Sequence, residues 1–107
     1  MAREGVTVEW VFEGELIEWR GPAPYFFVAM SEADSAELKE EARSLIYWGQ
    51  VPVHAVVGDT EFRTALFPRD GRYLVPVKDA VRNAEGIGEG DVVAVTLRPA
   101  RRSDARR

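Results

Sequence analysis

Residues Leu74–Leu97 read LVPVKDAVRNAEGIGEGDVVAVTL. An apolar run leads into a short polar segment, then Gly86-Ile87-Gly88-Glu89-Gly90-Asp91, then a second apolar run. The spaced glycines look superficially like a nucleotide-binding loop. Such a loop needs the order strand, glycines, helix, because the phosphate rests on a helix N-terminus. Here the order is helix, glycines, strand, so the loop sits at a helix C-terminus, where the dipole disfavours anions. The glycines are therefore read as turn chemistry. Gly86 ends a short helix over Lys78–Glu85 in a left-handed cap, with Val81 and Ala84 facing inward. Ile87 anchors the loop in the core, and Glu89-Gly90-Asp91 turns the chain into a closing strand over Asp91–Leu97. Pro99 is expected to stop that strand.

The rest of the chain agrees with a small barrel. Val6, Val8, Trp10 and Phe12 alternate with Thr7, Glu9, Val11 and Glu13, the period-2 pattern of a half-buried strand. Gly14 interrupts this pattern, as a bulge or sharp bend would, and Leu16, Ile17 and Trp19 resume it in shifted phase. Arg20-Gly21-Pro22-Ala23-Pro24 is a turn, and Tyr25–Met30 reads as a strand buried on both sides. Ser31 with Asp34 makes a capping pair for a helix over Ala33–Ile46, whose buried face is Leu38, Ala42, Leu45 and Ile46. Val51–Val57 and Glu61–Phe67 form a hairpin around Gly58-Asp59-Thr60. Asp70-Gly71 leads into Tyr73–Val77, with Pro76 near the strand's end. The expected fold is mainly β: a six- to seven-stranded barrel with one peripheral helix and one short helix before the last strand.

At 107 residues the chain is sized for one domain, expected over residues 1–98 with a basic, disordered tail over 99–107. It has no cysteine, which removes disulfides and thiolate metal sites together. Met1-Ala2-Arg3-Glu4-Gly5 is not followed by the apolar core of a signal peptide, and no apolar run reaches membrane-helix length. A cytoplasmic location, with no membrane partner, is expected. The net charge of −4 hides an asymmetry: without the five arginines and one aspartate of Arg98–Arg107, 9 basic and 17 acidic residues leave a net of −8. A body this acidic repels phosphate backbones at long range.

No enzyme motif of high specificity is present, and no catalytic residue, cofactor or metal is expected. His54 is the single histidine, too few for a two-histidine metal site. Glu9 and Glu13 alternate with apolar residues as a solvated strand face does. Trp19, Tyr25 and Trp48 flank turns, and with His54, Arg63 and Tyr73 they are the candidates for lining a ligand pocket. Arg69, Arg72, Lys78 and Arg82 are the candidates for nucleic-acid contact.

The strand VEWVFEGEL, the strand PYFFVAM ahead of the helix, and the run from Val51 to Leu97 together resemble the small bacterial DUF1905 family. The resemblance implies a compact β-barrel with a peripheral helix, and it brings no catalytic residues. Within the last run, Pro76, Arg82, Gly86-Ile87 and Gly90-Asp91-Val92 are also similar to swapped-hairpin regulators of the AbrB and MazE type, which bind DNA as dimers. The leading expectation is a non-enzymatic binding module, monomeric or homodimeric, for a small apolar or aromatic ligand or a protein partner. The alternatives are a nucleic-acid-binding regulator and a small enzyme with its site in the barrel.

Overall fold

A computed structural model describes residues 8–22, 24–46 and 48–100. The expected start of the first strand at Val6 and the tail over 101–107 lie outside the described residues. The strands are β1 (Trp10–Glu15), β2 (Ile17–Trp19), β3 (Tyr25–Ala29), β4 (Val51–Val57), β5 (Thr60–Arg69), β6 (Arg72–Pro76) and β7 (Val92–Pro99). The helices are α1 (Glu32–Glu41) and α2 (Asp79–Glu85). All strand pairs are antiparallel, in the order β1-β7-β4-β5-β6-β3-β2. The expected mainly β architecture is what the chain adopts, as a curled half-barrel of seven strands.

Alternation decides what enters the core. Along β4, Val51, Val53, Ala55 and Val57 are buried while Pro52, His54 and Val56 turn outward and stay half-exposed. Along β1, Trp10 is buried and Val11 is exposed. The interior is filled mostly by Val, Leu and Ala side chains, joined by Met30, Trp10 and Tyr73. Burial of this aliphatic surface is the main source of stability, at about 25 cal/mol per Å² removed from water.

One residue carries the curl. β1 and β2 stand at opposite ends of the strand order, yet only Leu16 separates them in sequence. The sheet must therefore bend round until its two ends meet at that residue. Leu16 is fully buried. Its N–H donates to the Asp91 carbonyl at 2.8 Å, and its own carbonyl accepts from the Gly90 N–H at 2.8 Å. The glycine loop is the clamp on this corner. Gly90 takes φ +92 there, a conformation that favours glycine. Beside the corner, a Cβ on Gly14 would stand 2.5 Å from Val28 Cγ1, so the absent side chain lets β1 lie close against β3.

Several boundaries differ from expectation. α1 ends at Glu41, short of the expected Ile46, and tightens into a 3₁₀ turn over Arg43–Leu45. That turn still packs Leu45 and Ile46 on the core. Ala84 is exposed, because the seven-residue α2 buries Val81 alone. β7 continues to Pro99, which pairs with Val53, and Ala100 is buried with its N–H on the Pro52 carbonyl. Strand alternation points the Pro99 nitrogen away from β4, so its missing N–H breaks no bond to that strand. The strand and the buried Ala100 that follows it thus run two residues past Arg98.

Gly14→Ala should destabilise by about 1–3 kcal/mol, because Val28 is a buried, stiff β-branched side chain with no room to retreat. Urea midpoints of Gly14→Ala, Val28→Ala and the double variant measure this, and the double variant should recover part of the Gly14→Ala loss. Gly86 holds φ 65 and ψ 37, and an added Cβ would meet no atom within 4 Å. Gly86→Ala should therefore cost about 1 kcal/mol from backbone strain alone, read from the same midpoints.

Candidate functional site

Two surfaces combine side chains that the sequence keeps far apart. The first is the outer face of β2, β3, β5 and β6. In β2 and β3 the residues that point away from the core are Ile17 with Trp19 and Tyr25 with Phe27, and these pair directly as Ile17–Phe27 and Trp19–Tyr25. Ring centroids are 6.4 Å apart for Trp19–Tyr25, 5.8 Å for Tyr25–Phe27 and 5.6 Å for Tyr25–Phe67. These are tilted or edge-on contacts of the kind aromatic rings prefer. Leu74 pairs with Phe67, and it is 4 % exposed although it lies outside the core cluster. The outer face thus has a small apolar layer of its own.

Trp19 is held from several sides. The Arg69 guanidinium lies 4.1 Å from its ring centroid. Gly21 packs against the indole so closely that a Cβ there would collide with Nε1. Even so, Trp19 and Ile17 remain more than a third exposed. The result is a rigid, preformed aromatic surface that faces solvent.

The second surface is a cleft of about 250 Å³ between α1 and the β5–β6 hairpin. Its buried floor is Tyr73 and Ser35, joined by the Tyr73 N–H donating to Ser35 Oγ at 2.9 Å. Ala36 and Pro68 give it apolar walls, and Lys39 and Arg72 stand at its exposed rim. Arg72 is anchored by Nε, which donates to the Met30 carbonyl at 2.8 Å. Burial pushes the Tyr73 phenol above its usual 10.0 by penalising the charged form.

The residues singled out in the sequence fall into separate places. Trp19 and Tyr25 meet on the outer face, whereas Tyr73 belongs to the cleft. Trp48 is 85 % exposed at φ +55, in the turn before β4. His54 stands between Arg63 of β5 and Arg98 of β7 in register, on the outer face farther along the sheet. Arg69 lies on Trp19 and Arg72 on the Met30 carbonyl. Arg82 stacks 3.8 Å from the Phe26 centroid, donates to the Val77 carbonyl and pairs with Asp79, while Lys78 precedes α2 as its exposed N-cap. Among the described residues no group of three or more His, Asp or Glu side chains is placed to hold a metal ion. The sequence reading passed over Phe27, Phe67, Leu74, Ser35 and Lys39. Phe27 was within reach, because it follows Tyr25 at the period-2 spacing that excludes Val28 and Met30.

The model of one family, a domain of unknown function (DUF1905), matches residues 12–97. The chain belongs to the DUF1905 family. The match runs from β1 almost to the end of β7, so the family pattern and the half-barrel coincide. Both surfaces of this DUF1905 domain are built within it. No curated protein matches the chain.

Raising Tyr73 above its unfolded value makes its contribution to stability fully present below pH 10 and lost as pH climbs through the higher folded value. Urea midpoints followed from neutral pH to above pH 10 should fall less steeply in Tyr73→Phe than in the parent.

Proposed function

We propose that this DUF1905 domain is a non-enzymatic binding module that takes a protein partner on the outer face of β2, β3, β5 and β6. The observation that carries this reading is the ring cluster of Trp19, Tyr25, Phe27 and Phe67, capped by Arg69 and open to solvent. Aromatic and arginine side chains supply most hot spots at protein interfaces. Rings that already brace one another lose little freedom on binding, which lowers the cost of association. Aliphatic side chains pack together in the core, whereas these rings lie outside it on an open face suited to a polypeptide. Glu61, Arg63, Ala65, Phe67 and Arg69 form the outward ridge of β5, and Arg63 and Arg69 are the cations it sets on this face. The partner is accordingly an extended segment with an apolar or aromatic anchor and acidic flanks.

The regulator reading draws on the same side chains and is less well supported. Arg82 stacks on Phe26 and pairs with Asp79, so that cation already serves the fold. The net of −8 over residues 1–97 also opposes a phosphate backbone.

Panning a displayed library of random dodecapeptides against the protein tests the proposal. Enriched peptides should share an apolar or aromatic anchor beside acidic residues, and Trp19→Ala should weaken them by roughly tenfold or more. Peptides that bind Trp19→Ala as well as the parent would overturn it. So would oligo(dT) binding that falls steeply with salt and is lost in Trp19→Ala, which would assign the face to single-stranded nucleic acid. A dimer in sedimentation that dissociates on the same substitution would assign it to self-association.

A further inference from the structure

We infer that the cleft between α1 and the β5–β6 hairpin is a second binding site, independent of the aromatic face, for a carboxylate bearing a small apolar group. Of the nine basic side chains among the described residues, Arg20, Arg43, Arg69 and Arg82 form ion pairs and the other five do not. Lys39 is one of them. Its helical neighbours three and four residues away are Ser35, Ala36, Ala42 and Arg43, none of them acidic, and it makes no ion pair among the described residues. Arg72 is another. Its Nε bond to the Met30 carbonyl fixes the guanidinium, and it too pairs with no carboxylate among the described residues. Both cations stand at the rim of one cleft, and no acidic residue lines that cleft.

The lining selects among anions. A guanidinium fork beside an ammonium suits a carboxylate or a phosphate equally. Below the rim, however, lie the Tyr73 ring, Ala36 and Pro68, which offer apolar contact and few donors for the further oxygens of a phosphate. Ser35 Oγ accepts the Tyr73 N–H and keeps one O–H to donate. At about 250 Å³ the cleft is smaller than the roughly 300–1,000 Å³ typical of drug-sized ligands. It therefore fits one ring or a short alkyl chain with its carboxylate at the rim. A free aryl or alkyl carboxylate offers this chemistry, and so does the last residue of a peptide with an apolar side chain.

Amide chemical shifts of the full chain, titrated with phenylacetate, phenylacetamide and inorganic phosphate, test the assignment. Phenylacetate should shift amides of Ser35–Lys39 and Gly71–Tyr73, and phenylacetamide should bind roughly tenfold more weakly. Lys39→Gln and Arg72→Gln should each weaken phenylacetate by a similar factor. Because Arg72 also holds the Met30 carbonyl, Lys39→Gln, at an exposed helix position, is the decisive variant should Arg72→Gln unfold. A peptide ending in phenylalanine that moves the same amides more tightly than phenylacetate, with its C-terminal amide inactive, would make the natural source a polypeptide terminus. Weaker binding by that peptide than by phenylacetate would make it a free carboxylate. Shifts confined to other regions, equal affinity for the acid and the amide, phosphate binding as tight as phenylacetate, or an unchanged response in Lys39→Gln would each overturn the proposal.

Discussion

The corner at Leu16 holds the two ends of the sheet together. One buried residue joins the first strand in the spatial order to the last, and both of its backbone hydrogen-bonding groups are satisfied by the glycine loop. Unpaired, those groups would each carry the desolvation penalty of a buried amide, about 1–3 kcal/mol. The loop in turn takes its shape from Gly90 at φ +92 and from Asp91, whose side chain accepts the Gly88 N–H at 2.8 Å. Residues some seventy positions apart therefore form a single closure. Gly14 completes it by letting β1 come up against Val28.

This closure determines where the exposed side chains stand. Curling a seven-stranded sheet this tightly leaves an interior that aliphatic side chains fill. The aromatic face then lies on the outside of the sheet and the cleft at its seam with α1. The rings of Trp19, Tyr25 and Phe27 belong to the outward phase of β2 and β3. They are half-buried because they cover each other and Leu74, not because the barrel encloses them.

Charge is divided in the same way. Four arginines are neutralised or stacked: Arg20 by Glu18 and Glu89, Arg43 by Glu40, Arg82 by Asp79 and Phe26, and Arg69 by Asp70 and Trp19. Arg72 and Lys39 are drawn to one cleft by the contact of β6 with α1. Within an acidic protein such a pair places two like charges at one cleft with no acidic lining residue.

Local patterns in the sequence were enough for the strands, the two helices, the left-handed cap at Gly86 and the family. Each follows from contacts within a few residues: alternation over a strand, Ser31 capping Asp34 at 3.0 Å, a glycine where φ is positive. Partial legibility held where a local rule was right and its extent was not. Ala42 sits in the expected helical pattern, but packing of Leu45 and Ile46 tightens the chain after it, and Pro99 remains in β7 because the side facing β4 needs no donor from it. What the tertiary structure alone decided is which outward residues meet. Tyr25 with Phe67, Arg69 with Trp19, and Lys39 with Arg72 are separated by 33 residues or more, and no periodicity reports a contact made by strand order. Strand order follows from the curl at Leu16, a bend that depends on a hydrogen-bonding partner at the far end of the chain.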